Sequence, residues 1–149
     1  MSEIRNHNVS SRRRRSCKGA VILETALIFL AFTTMLIGAF DFGQFLFIHQ
    51  ALVERARSAA RWGALNDPTD SASITNMVLY NQAATPPAGT NSYFGVTAAN
   101  VAVSAPDSGT NDYRLYVRIS GYTYTVLSPY IAGSYTGPAI TVAVPLGLY

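Results

Sequence analysis

Residues 19–40 read GAVILETALIFLAFTTMLIGAF, and Glu24 is the only ionisable side chain among them. At 1.5 Å per residue, about 21 helical residues reach roughly 31 Å, the thickness of a bilayer's hydrocarbon core. The stretch is therefore long enough to span a membrane. Arg12, Arg13, Arg14, Arg15 and Lys18 precede it and Asp41 closes it. An excess of basic residues on one flank holds that flank in the cytoplasm. The expected topology is a single pass with the N-terminus cytoplasmic and the rest of the chain across the membrane.

The charge follows the same division. The whole chain of 149 residues carries a formal +3, which by itself would raise a nucleic-acid reading. Residues 1–19 hold six basic side chains against Glu3, and residues 20–149 hold five arginines against seven acids. The first segment is thus strongly basic and the remainder mildly acidic, so the basic balance belongs to a targeting segment and no nucleic-acid partner is expected. Cys17, the only cysteine, lies in that segment, which leaves the body without a disulfide or a thiolate metal site. A lipoprotein acceptor cysteine would follow an apolar stretch, and Cys17 precedes one.

Two ordinary readings of the apolar run compete. A cleaved secretory signal needs an uncharged run of about 7 to 15 residues before a small-residue cleavage site; this run is longer and contains Glu24. A plain signal anchor accounts for the length but gives no reason for an acid, which costs up to about 3 kcal/mol in the bilayer and usually marks function.

A basic leader, a Gly, a small residue and a Glu five places after the Gly resemble the substrates of prepilin peptidases. The resemblance implies cleavage between Gly19 and Ala20, with Glu24 as the fifth residue of the mature chain. The new α-amino group on Ala20, with an ordinary pKa of about 7.7 to 8.0, would stand one helical turn from the Glu24 carboxylate. In a low-dielectric setting each charge lowers the other's burial cost, whether the amine is the chain's own or a neighbouring subunit's.

Beyond Asp41 the apolar pattern narrows to a stripe of Phe42, Phe45, Leu46, His49, Leu52, Val53, Ala56, Ala59 and Ala60. This is the spacing of one helical face. A continuous helix from about Ala20 to Trp62 would be about 65 Å long, half in the membrane and half outside. The outer stripe packs either on the chain's own body or on other subunits, or on both. Glu54, Arg57 and Arg61 fall on another face and read as solvated, in preference to a lipid or acidic-partner site. His49, alone on the apolar side, reads as structural.

Glu24-Thr-Ala-Leu, Asp41-Phe-Gly-Gln, Gln50-Ala-Leu and Ala56-Arg-Ser-Ala-Ala-Arg-Trp-Gly-Ala together resemble the TadE-like pseudopilins of tight-adherence (Tad/Flp, type IVc) pilus systems. The likeness covers roughly residues 19–64. Asp41 stands where Glu is more usual and Gln44 where Arg is expected.

Residues 65–149 read as the extracytoplasmic body. Asn66-Asp67-Pro68 ends the helix, and a short helix is expected from Ser73 to Ala84, capped by Asp70 or Ser71. Pro86 to Gly89 is a loop. Strands are expected from Val96 to Ser104, from Tyr113 to Leu127 with a bulge or turn at Gly121, and at Ile140, Val142 and Val144. Residues 107–112 read as a turn and residues 129–138 as a loop. In the second strand Leu115, Val117 and Ile119 alternate with Arg114, Tyr116 and Arg118, the period of a half-buried strand. The fold class is α+β and pilin-like: a long N-terminal helix, transmembrane half plus amphipathic half, packed on a small antiparallel C-terminal sheet. The domain division is 1–19 leader, 20–40 transmembrane helix, 41–64 amphipathic extension and 65–149 body.

The body has no Lys, no Cys, no His beyond His49 and no acidic pair beside a nucleophile. No catalysis, cofactor or metal is expected. The tyrosines are explained by sheet propensity, with an adhesive or sugar-stacking surface as the alternative. The family resemblance implies a minor pseudopilin of the bacterial inner membrane, or of the pilus itself, that takes part in pilus assembly and cell adhesion. Its implied partners are a prepilin peptidase, other Tad/Flp pilins, inner-membrane assembly proteins and membrane lipid. The alternative is an uncleaved, single-pass envelope-binding module with a tyrosine-rich sheet.

Overall fold

The computed structural model of the protein describes residues 17–106, 109, 112–126, 128 and 133–147, the first two by their backbone alone. The chain divides into two compact units, Met1–Gly38 and Ala39–Tyr149. One helix, α1 (Cys17–Leu65), runs through the boundary between them.

In the first unit, the large apolar side chains of α1 are between 55% (Leu36) and 78% (Met35) exposed, apart from Ile37, which is half-buried. Exposure of this kind is opposed by water at about 25 cal/mol per Å². The polar groups of the same stretch are satisfied within the helix. The hydroxyls of Thr25, Thr33 and Thr34 donate to the carbonyls of Val21, Phe29 and Leu30, each at 2.8 Å. The helix is by length and composition a candidate membrane span.

In the second unit α1 continues and meets α2 (Ser71–Tyr80) and five strands: β1 (Val101–Ser104), β2 (Arg114–Ile119), β3 (Thr123–Val126), β4 (Gly133–Thr136) and β5 (Ile140–Pro145). The link between the helices is built by local bonds. Asp67 Oδ1 accepts from the Thr69 amide at 2.8 Å, and Asp70 Oδ1 caps α2 by accepting from the Ser73 amide at 3.0 Å. These bonds favour the charged carboxylates and hold both pKa values below the ordinary range. Helix α2 stops earlier than the sequence indicated, because Asn81 takes a left-handed conformation with φ 60° and its amide bonds to the Met77 carbonyl.

Among the described residues all strand pairings are antiparallel, in two sheets: a three-stranded sheet ordered β1-β2-β5 and a hairpin-like pair β3-β4. The first sheet carries the core. Leu115, Val117 and Ile119 on the central strand are fully buried and lie opposite Val144, Val142 and Ile140 on one side. Val103 and Val101 face Val117 and Ile119 on the other. Onto this face and α2 packs a stripe of α1 comprising Leu52, Ala56, Ala59 and Ala60, all fully buried. The small residues permit close approach: a Cβ on Gly63 would stand 2.6 Å from Ile74 Cδ1 and 2.8 Å from Leu115 Cδ2.

Three expectations about the strands are corrected or narrowed. Residues Ala98–Asn100 form a 3-10 turn, so the first strand begins at Val101; the Asn100 side chain closes that turn on Thr97 and also donates to the Ser120 carbonyl. Of the bulge or turn expected at Gly121 between Tyr113 and Leu127, the structure has the turn, and the two halves are separate strands. Gly121 takes φ +71°, a conformation that turns the chain out of the first sheet, and β3 joins the second. The stretch 129–138, read as a loop, contains β4, which pairs with β3 in the register Tyr124↔Tyr135. Most of the expected 107–112 turn, as well as Leu127 and residues 129–132, lies outside the described residues.

Candidate functional site

The residues singled out from the sequence fall into two groups along α1. Gly19, Ala20 and Glu24 lie in the first unit, all exposed, and a Cβ on Gly19 would meet nothing within 4 Å. The helix continues through all three, which sets residues 20 and 24 one turn apart on one face. No ion pair of Glu24 occurs among the described residues. Arg12, Arg13, Arg14 and Arg15 lie outside the described residues, as does the side chain of Lys18.

The second group is the stripe along the outer part of α1, and the structure splits it. Leu52 and Ala56 are fully buried and Val53 packs at the core's edge. Phe45 lies on the Tyr124 ring with centroids 4.9 Å apart and stacks on His49 at 6.0 Å. His49 Nδ1 and the Tyr122 hydroxyl are hydrogen-bonded at 2.8 Å, so this histidine is a structural contact with the second sheet. Burial pushes the Tyr122 phenol above its ordinary pKa. Phe42 and Leu46, by contrast, remain 62% and 41% exposed, which leaves them uncovered by their own chain. Arg57 pairs with Glu54 at 2.8 Å, both on the surface, and Arg61 is exposed, in line with a solvated face.

Three residues on this helix were not singled out. Ile48 is buried. Asp41 is more than the end of an apolar run, since its Oδ2 accepts from the Ser128 amide at 3.1 Å and so ties α1 to the segment after β3. Arg55 places its guanidinium over the Tyr93 ring, 4.4 Å from the centroid. The sequence did carry a signal for Arg55: it lies three residues after Leu52 and four before Ala59, on the face that is buried. Its charge led away from that reading.

An apolar helix long enough to cross a bilayer, continuing without a break into a helix seated on an antiparallel α+β body, defines a class of candidate membrane-anchored proteins. Within that class, residues 19–61 match the family described as TadE-like protein. The match is consistent with a protein associated with the Tad pilus system. It begins at the Gly of the expected cleavage site and ends at Arg61, so Trp62, Gly63, Ala64 and the whole strand-bearing body lie beyond it. Searches of curated proteins and of solved structures gave no match.

Proposed function

We propose that the chain is a minor pseudopilin, cleaved by a prepilin peptidase between Gly19 and Ala20, that takes part in assembling a Tad/Flp-type pilus. The observation that carries this reading is Glu24. It is the one carboxylate in an otherwise apolar, exposed helical segment, one turn from Ala20, within a stretch matching the TadE-like family. Cleavage would create a cation at Ala20, and the carboxylate at i+4 would offset its burial. An amine from a neighbouring subunit would serve equally, which gives Glu24 a role in ordering subunits as they leave the bilayer.

In this reading the protein is a structural component and not an enzyme, with its body across the inner membrane from the leader. Exposed Phe42 and Leu46 are available to sister helices, while Leu52 and Ala56 hold the chain's own body. A binding module built on a tyrosine-rich sheet draws less support. Tyr122 is buried, Tyr124 packs on Phe45, and Tyr113 and Tyr116 are half-buried.

The test is Glu24→Ala in a piliated cell. Membrane insertion is expected to be unchanged or slightly improved, because a costly carboxylate is removed, while pili are expected to be lost or sharply reduced. Normal piliation by the variant would remove Glu24 from assembly.

A further inference from the structure

Phe40, Gly43 and Phe47 follow one another at intervals of three and four residues, on one face of α1. Phe40 and Phe47 are 61% and 65% exposed, and a Cβ on Gly43 would meet nothing within 4 Å. Among the described residues nothing covers this face. Phe94, from the turn Tyr93–Gly95, stands edge-on to Phe47 with centroids 6.0 Å apart and is itself partly exposed. We infer that these rings form a lipid-contacting edge, with the Phe47–Phe94 pair seated in the headgroup region of the bilayer. The inference rests on the reading of α1 as a membrane span, and not on cleavage or filament assembly.

Chain length limits where Phe47 can stand. It follows Phe40, the last residue of the apolar run, by seven residues, or about 10 Å of helix. Any tilt of the helix reduces that height. A helical side chain also covers the turn N-terminal to its own Cα, which brings the ring back by about 5 Å. The headgroup zone is about 5 to 7 Å deep on each side of the hydrocarbon, so the ring falls within it. The face changes character at the same level. No Asp, Glu, Lys or Arg occurs from Phe42 to Val53, and the next positions along the face are Gln50, Glu54 and Arg57, all exposed. Rings that give way to polar and charged side chains within two turns mark an apolar-to-water boundary. A sister helix packed along this face would need the apolar stripe to continue past Phe47. Asp41 does not interrupt the edge, because its carboxylate is directed to the body, where Oδ2 accepts from the Ser128 amide.

Phe94 supplies a second observation. It takes φ +51°, a left-handed conformation that bulky residues rarely adopt. Such strain persists where the surroundings hold it, and it gathers at functional positions. Here it gains no place for the ring in the hydrophobic core. The ring leans on Tyr93, with centroids 4.4 Å apart, and on Phe47, and Tyr93 is itself held beneath the Arg55 guanidinium. A braced, strained residue that presents its ring beside an exposed Phe47 is accounted for by an apolar medium at that point.

The experiment uses single-tryptophan versions of the full chain, with Trp62→Phe removing the native one. Phe47→Trp and Phe94→Trp probe the edge, Phe29→Trp the span, and Leu65→Trp the far end of α1, where Leu65 is also exposed. Each is reconstituted in phosphatidylcholine vesicles with and without lipid brominated near the headgroup end of an acyl chain, at two protein-to-lipid ratios. Bromolipid is expected to quench emission at positions 29, 47 and 94 at least twofold at both ratios and to leave position 65 unchanged. The two edge probes are independent, so a local disturbance at one leaves the other to decide. Quenching at position 29 without quenching at 47 and 94 overturns the inference and leaves the span standing. Absence of quenching at all three overturns it together with the membrane reading of α1. Equal quenching at position 65 overturns the assignment to this edge, and emission at 47 and 94 that ignores bromolipid but shifts with protein-to-lipid ratio overturns it in favour of a second copy of the chain.

Discussion

The hydrogen bond between His49 and Tyr122 joins α1 to the turn before β3. Tyr122→Phe keeps the ring and removes the hydroxyl, so the expected loss is about 1 kcal/mol, the usual net worth of such a bond. Denaturant unfolding of the detergent-extracted protein, followed by circular dichroism, measures it. The same phenol gives an alkaline signature. Its folded pKa is raised, so the unfolded chain ionises first: Tyr122 contributes its full share below the unfolded value near 10, and that share falls as pH rises through the folded value. The Tyr122→Phe variant is expected to show a shallower loss of stability above pH 10 than the parent; equal slopes would contradict the assignment. Asp70 gives the opposite sign. Its capped carboxylate has a lowered pKa, so its contribution is present above the unfolded value and is lost as pH falls through the folded one. Asp70→Ala is expected to lower the melting temperature at neutral pH and to flatten its decline in acid.

At the scale of elements, the approach of α1 to α2 and β2 depends on Gly63. A methyl group there would force Ile74 and Leu115, both fully buried, to move. Overpacking of this kind costs about 1 to 3 kcal/mol, against at most about 1 kcal/mol gained from better helix propensity, so Gly63→Ala is expected to lower the melting temperature. On the same helix a Cβ at Gly43 meets nothing within 4 Å, and Gly43→Ala is expected to be neutral or stabilising in the isolated protein. If both variants melt alike, the seat of α1 is not where the structure places it. Helix α1 was legible from hydropathy and from the 3.6-residue stripe, and β2 and β5 from their alternation, because one face of each is buried. Strand β4 was not legible: Gly133, Ser134, Tyr135 and Thr136 are all exposed, so no alternation marks it and only pairing with β3 makes it a strand. The break at Gly121 was legible as a bulge or a turn, since Tyr122 and Tyr124 resume the alternation one residue out of phase with Leu115, Val117 and Ile119; that β3 joins another sheet was not, because no residue marks its partner. Among the candidate functional residues, Glu24 stood out because a charge in an apolar run is conspicuous. Arg55 did not, because a charge on a mixed helical face is ordinary until its burial is seen.

At the scale of the whole molecule, the distribution of charge and apolar surface gives the account its direction. The basic residues of positions 1–19 stand before or at the start of a helix whose large apolar side chains in the first unit are exposed, Ile37 apart. The second unit has a hydrophobic core of its own. The proposed pseudopilin role assigns each part a stage: removal of the leader, retention in the bilayer, and transfer into a filament guided by Glu24 and the new amine. The most direct test of this claim is intact-mass measurement of the protein extracted from the membranes of a cell with active prepilin peptidase. A species that begins at Ala20 is expected. A species that retains Arg12, Arg13, Arg14 and Arg15 would contradict it and leave an uncleaved membrane anchor in its place.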